Sequence, residues 1–211
     1  DTPEFAQLSK EINLMAAGLR EGAQMRHALE LASDVQTSLL PSETPVIKDL
    51  DISGHSTYCD ETGGDYYDFL EVGALSENKV VLALGDVMGH GAAAAMLMAT
   101  ARGILRSRTQ VPGTMAELLT HMNKLLAEDT GGDRFMTMIL VVLDLNSGEG
   151  RMVSAGHDMP IVYDPETDDF VELPDDGGLP LGVLDEGVYE EMTFQNVRSK
   201  QVYLIATDGL W

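Results

Sequence analysis

The chain is 211 residues long, 44% of them hydrophobic, and carries 13 Lys and Arg against 35 Asp and Glu, a formal net charge of −22. That size allows one substantial domain with an appendage, and so acidic a surface repels phosphate backbones, which excludes nucleic acid and favours cations and basic protein surfaces as partners. The single cysteine, Cys59, excludes an internal disulfide, and no apolar run approaches the roughly 20 residues that span a bilayer.

Residues 4 to about 40 predict a helix. Phe5, Leu8, Ile12, Met15 and Leu19 are spaced 3, 4, 3, 4, the seam of a coiled coil. A second seam, Met25, Leu29, Ala32, Gln36 and Leu39, follows out of phase, with the break near Gly22. Pro41 and Pro45 end the helix. A helix this long needs a partner to cover its seam. A second copy of the chain supplies one, making a parallel homodimer; packing on its own domain is the alternative. The boundary falls there, with a signalling linker at 1–41 and the main domain at 42–211.

From about residue 50 the pattern changes to short strands and turns. A first strand is predicted over 51–56. Residues 59–70 place four acids and two glycines in a turn that leads into the aromatic run Tyr66-Tyr67-Asp68-Phe69. Cys59 in that turn has no activating base nearby and reads as a structural thiol. Val80 to Leu84 is a strand buried on both faces, ending at Gly85-Asp86. Helices follow over about 91–108 and 114–128. Phe135 to Leu145 is a long β-rich run, and Asn146-Ser147-Gly148 turns it back into 151–154. Residues 161–163 and 170–173 make a further hairpin, and 190–197 with 201–206 the last pair. Met96, Met98, Met136 and Met138 read as core filler. Strands in hairpins with two helices together in mid-chain predict an antiparallel α+β layered domain.

Three acids recur in one local setting. Asp65 follows Gly64 beside a strand, Asp86 ends the central strand, and Asp208 ends the last strand before Gly209. Asp86 could simply cap a helix or turn. If the sheets bring the three ends together, their mutual repulsion calls for a cation. Oxygen-only ligands suit Mg²⁺ or Mn²⁺ over zinc. Two such ions about 3.5–4 Å apart would activate a water and clamp an in-line phosphoryl displacement. No Gly-x-Ser-x-Gly elbow points to covalent catalysis.

Gly63-Gly64-Asp65-Tyr66-Tyr67-Asp68-Phe69, Gly85-Asp86-Val87-Met88-Gly89-His90-Gly91, Ala155-Gly156-His157, Gly178-Leu179-Pro180-Leu181-Gly182 and Thr207-Asp208-Gly209 occur in that order. Together they resemble the PPM-type metal-dependent protein phosphatases, in the SpoIIE/RsbU-like bacterial branch. The resemblance implies a central antiparallel β-sandwich flanked by helix pairs. It implies dephosphorylation of phosphoserine or phosphothreonine, typically on a STAS-type anti-sigma-factor antagonist. By position, Asp86 would bridge two metals, Asp65 and the Val87 carbonyl would complete one site, and Asp208 would serve the other. Family members continue past Thr-Asp-Gly to a further acid on that second ion. That segment is not in this chain, which implies a domain truncated at its C-terminus with weak turnover. His90 lies four residues after Asp86, whereas the related eukaryotic enzymes place a histidine two residues after theirs. His90 is therefore read as loop-stabilising and His157 as structural. Asp68 either supports a ligand or is simply exposed.

Pro3-Glu4-Phe5, Leu8, Asn13-Leu14-Met15-Ala16 and Gly18-Leu19-Arg20 resemble the closing helix of a HAMP signalling module. That implies a cytoplasmic domain whose parent continues N-terminally into a sensor anchored in the inner membrane. Two other functions compete. One is a degenerate phosphatase domain that only docks a partner. The other is a diguanylate cyclase, suggested by Gly63-Gly64-Asp65, which leaves Gly85-Asp86 and Thr207-Asp208-Gly209 unexplained.

Overall fold

The computed structural model describes residues 3–47, 50–57, 62–70, 79–108, 111–174, 177–195, 197–198 and 200–210. Helix α1, Pro3–Leu39, precedes β1 (Tyr66–Leu70) and β2 (Lys79–Val87). Helices α2 (Ala92–Arg108) and α3 (Met115–Thr130) follow together, then β3 (Met136–Asp144), β4 (Glu149–Ala155), β5 (Ile161–Asp164) and β6 (Asp169–Val171). β7 (Met192–Gln195), β8 (Val202–Leu204) and a 3-10 turn, Asp208–Leu210, complete the order. The expectation of an antiparallel α+β domain holds: every strand pair is antiparallel, in a five-stranded sheet β1-β2-β3-β4-β7 and a three-stranded sheet β6-β5-β8.

β3 organises the layers. Side chains alternate across a strand, and β3 buries both sets. Met136, Met138, Leu140 and Val142 join Leu97, Met98, Leu119 and Met122 in a core under α2 and α3. Ile139, Val141 and Leu143 face the other way, into a core with Met152, Phe194 and Tyr203 between the two sheets. Met98, Met136 and Met138 are core, as expected, but Met96 is 72% exposed. The helical repeat that turns Ala94, Leu97, Met98, Ala101 and Leu105 inward turns Met96 to solvent.

The helix pair is fixed at its ends. Thr114 and Glu117 form a reciprocal capping box on α3, and Gly131 closes it in the left-handed conformation. Buried Asn123 accepts from the Gly182 N–H at 2.9 Å and donates to the Leu184 carbonyl at 2.6 Å. The Gly178–Gly182 motif therefore serves the fold, docking a loop on α3 and on Met136.

Two strand expectations are corrected. Residues 51–57 carry no sheet ladder; the hydroxyl of Tyr67 reaches the Gly54 carbonyl at 3.3 Å instead. β7 and β8 do not pair with each other. β7 joins β4 with Gly150 opposite Phe194, and β8 joins β5 in the other sheet. The Phe194 ring occupies the space above Gly150, where a Cβ would fall 2.1 Å from the ring. That side chain holds β7 in the larger sheet.

Along α1 the first seam is bare: Phe5, Leu8, Ile12, Met15 and Leu19 are each more than half exposed. The second seam meets the domain most closely at Gln36, which is 3% exposed, and Leu40 just beyond it packs against the helix-side core. No described helix is long and apolar enough to cross a membrane. Cys59 lies outside the described residues.

Candidate metal centre

Strand register creates the site. Tyr66 pairs with Gly85, so Asp65, one residue earlier, stands opposite Asp86, one residue later. The Val87 N–H donates to the Gly64 carbonyl at 3.3 Å, continuing the ladder past the strand end. Gly64 makes the approach possible. A Cβ there would fall 2.5 Å from the Val87 carbonyl oxygen and 3.0 Å from Asp86 Oδ1. Two oxygens thus converge beside a backbone that only glycine can supply. Behind them, the Gly91 N–H donates to the Thr62 carbonyl at 3.2 Å, and the Met88 N–H to the Phe135 carbonyl at 3.0 Å.

The electrostatics are those of crowded carboxylates. Burial raises the Asp86 pKa to about 6, with the charges of Asp65 and Asp208 adding to the rise. Burial also raises Asp65, opposed by a hydrogen bond from the Thr207 side chain and by one from Asp86. Two neighbouring carboxylates do not both ionise cheaply, so below about pH 6 Asp86 keeps its proton and donates it to Asp65.

Asp65 and Asp86 therefore meet directly. Asp208 does not complete a three-carboxylate cage: it is exposed on the 3-10 turn and acts on the other two through its charge. Among the described residues no three His, Cys, Asp or Glu side chains stand close enough to hold an ion together. The donors present, two carboxylates and a convergent carbonyl, fit a hard divalent cation. A cavity of about 890 Å³ runs from this point between the sheets, lined by Asp65, Tyr67, Leu84, Tyr203 and Thr207.

Asp68 is not exposed. It is 1% accessible, gripped by Arg106 through two bonds of 2.6 and 2.7 Å and by the Tyr66 hydroxyl at 2.6 Å. This clasp ties the strand that leaves Asp65 to the far end of α2. His90 lies exposed in the loop between β2 and α2. His157 is buried and touches Thr137, the residue opposite Asp86 on β3.

Gln36, Thr137 and Thr207 escaped the reading of the sequence as functional residues. Gln36 Nε2 donates to the Gly63 carbonyl at 2.6 Å and its Oε1 accepts from the Gly63 N–H at 3.2 Å. α1 therefore grips the loop two residues before Asp65. A polar residue at a seam position was the available signal.

This geometry can be set beside known proteins. The family described as Stage II sporulation protein E (SpoIIE) matches residues 76–211. The chain belongs to the SpoIIE family. Phosphoserine phosphatase RsbU of Bacillus subtilis is 24% identical over 187 residues, which is 89% of this chain and 54% of RsbU. The chain thus spans about half the length of that curated relative. The SiaA-PP2C domain of Pseudomonas aeruginosa superposes with a TM-score of 0.68 at 18% identity, covering 90% of this chain and 74% of that one. The PP2C phosphatase domain of SpoIIE from Bacillus subtilis, with a fragment of its regulatory domain, gives 0.56 at 22% identity, covering 69% and 41%. These two likenesses establish a PP2C fold for this SpoIIE-family chain.

Proposed function

We propose that the domain at 42–211 is a metal-dependent protein serine/threonine phosphatase. The observation that carries this is the meeting of Asp65, Asp86 and the Val87 carbonyl at paired strand ends. Asp86 would bridge two Mn²⁺ or Mg²⁺ ions, Asp65 and the Val87 carbonyl would complete one site, and Asp208 would serve the other. When bound, the ions supply a polarised water and neutralise charge on a transferring phosphoryl group. The residues of the chain do the rest. Gly64 lets the backbone close on Val87 and Asp86 without a steric barrier. Thr207 orients Asp65. Gln36 and the Asp68–Arg106 clasp hold the segment on either side of Asp65, so the carboxylate is positioned before substrate arrives.

The substrate proposed is a phosphorylated STAS-type protein in a sigma-factor pathway. Membership of the SpoIIE family and the likeness to a phosphoserine phosphatase support this. Residues 1–41, which contain α1, serve as a signalling linker: the bare seam of α1 supports a parallel homodimer, and the HAMP-like pattern supports a membrane-anchored sensor before it with the domain on the cytoplasmic side.

The test is phosphate release from a phosphorylated STAS protein with Mn²⁺, using this chain and a C-terminally extended one. Asp86→Asn should lower release to background in the active protein. An unchanged rate overturns the phosphatase reading. Loss of hydrolysis in both proteins, with partner binding intact in Asp86→Asn, makes the domain a docking module.

A further inference from the structure

We infer that Met88, Arg134 and Leu179 form a docking ledge beside the Asp65–Asp86 pair, and that it selects a folded phosphoprotein whose phosphoserine lies next to an apolar patch with an acidic side chain. This deepens the phosphatase reading above and rests on it. One observation of packing and one of charge carry it.

Strand order gathers the ledge. β1 and β3 begin, and β2 and β4 end, at the same edge of the larger sheet. Three loops are tied together there. The Met88 N–H donates to the Phe135 carbonyl at 3.0 Å, which sets the residue after Val87 against the residue after Arg134. The Leu181 N–H donates to the Met136 carbonyl at 2.8 Å, and the Met136 N–H donates back to the Leu181 carbonyl at 2.9 Å. A Cβ on Gly182 would fall 3.1 Å from the Arg134 carbonyl oxygen. Met88, Arg134 and Leu179 therefore stand on loops that share one backbone frame, and that frame adjoins the strand end that carries Asp86.

Their side chains do not serve the core. Leu181 is fully buried, whereas Leu179 is 49% exposed. Met88 is 40% exposed, although Val87 before it is fully buried. Arg134 is exposed and makes no ion pair among the described residues, although Asp133 precedes it. Single exposed apolar residues are ordinary. Two of them on loops joined to an arginine's match the composition of interfaces, where Met and Arg are enriched. Rigid strands position these loops, as binding loops require.

Charge decides what the ledge must do. The segments 62–65, 86–91, 130–135, 156–160, 178–182 and 206–210 hold five aspartates and a single lysine or arginine, Arg134. The last of these segments reaches the site along the cavity that Asp65 and Thr207 both line. A phosphoprotein brings further negative charge to a chain of net charge −22. Long-range attraction does not gather such a partner, so short-range contact must hold it. Met88 and Leu179 bury against the partner's apolar patch. Arg134 is the one place on this edge where the partner's carboxylate meets an arginine.

The experiment is a calorimetric titration, with Mn²⁺ present, of an unphosphorylated STAS protein into the chain and into five variants. This probe is the product of the proposed reaction, so it is not turned over. Met88→Ser, Leu179→Ser and Arg134→Gln should each weaken binding by about tenfold. Arg134→Lys keeps the charge and should recover part of the loss. Val171→Ser, an exposed apolar position on β6, should bind like the original. Thermal unfolding should be alike in all six proteins. Ledge variants that bind like the original, or an unaltered chain that does not bind the STAS protein, overturn the ledge. A loss in Val171→Ser equal to that in Met88→Ser overturns it too. The phosphatase reading is judged separately, by Mn²⁺-dependent phosphate release and its loss in Asp86→Asn.

Discussion

At the scale of single residues, the site is a problem in charge. Asp86 titrates near 6 because burial and the neighbouring charges of Asp65 and Asp208 oppose its ionisation. The unfolded carboxyl titrates near its ordinary 3.8. Below that value both states hold the proton and the pair costs nothing. Between that value and about 6 the unfolded chain releases the proton while the folded chain still holds it, so metal-free protein loses stability from about pH 4 to pH 6. Chemical unfolding of chelator-treated protein across that range should show the decline, and a divalent cation should remove it by taking the proton's place. A rise in stability over the same window would contradict the pairing. Asp68 is the opposite case, a buried carboxylate that already has its cation. Arg106→Met leaves that charge uncompensated. Because Arg106 is itself 46% exposed, the loss should be on the order of 2 kcal/mol, below that for a fully buried pair. Denaturant midpoints of the two proteins measure it.

At the scale of elements, α1 reaches the site through one amide. Gln36 satisfies both polar groups of Gly63, and a leucine there would leave them without partners, costing about 1–3 kcal/mol. Gln36→Leu should lower the melting temperature and speed amide exchange at residues 62–65, with little change in β4. Equal acceleration everywhere would mean that Gln36 merely supports the fold. The opposite end of α1 makes a separate prediction. Its seam residues, Phe5 at 70% and Leu19 at 73% exposed, should bury against a second copy. Light scattering should give a dimer for the chain and a monomer for a Leu8→Lys, Met15→Lys variant. A monomer for the unaltered chain would remove the homodimer from the account.

At the scale of the molecule, local patterns in the sequence carried the element order, because apolar alternation and turn residues are written into adjacent positions. The run from Phe135 to Leu145 and the turn at Asn146-Ser147-Gly148 are plain there, and they became the strand shared by both cores and its hairpin. Partners chosen across the sandwich were not legible. Nothing near Glu190 says that β7 joins β4, since the deciding contact is Phe194 over Gly150, more than forty residues back in the chain. The same holds for the site. Asp65 and Asp86 were visible as glycine-flanked acids at strand ends, and register brought them together. Asp208 was equally visible, yet it lies exposed on the 3-10 turn after β8 and acts on the pair through its charge. Gln36 and Arg106 act through partners 27 and 38 residues away, which no local pattern encodes.

The central claim is that paired strand ends make a divalent-cation site from Asp65, Asp86 and the Val87 carbonyl. Crystals of the chain grown with Mn²⁺ and measured at the manganese edge test it directly. The account predicts an anomalous peak in contact with those three oxygens. Bound manganese only elsewhere, with none in contact with Asp65 or Asp86, would contradict it.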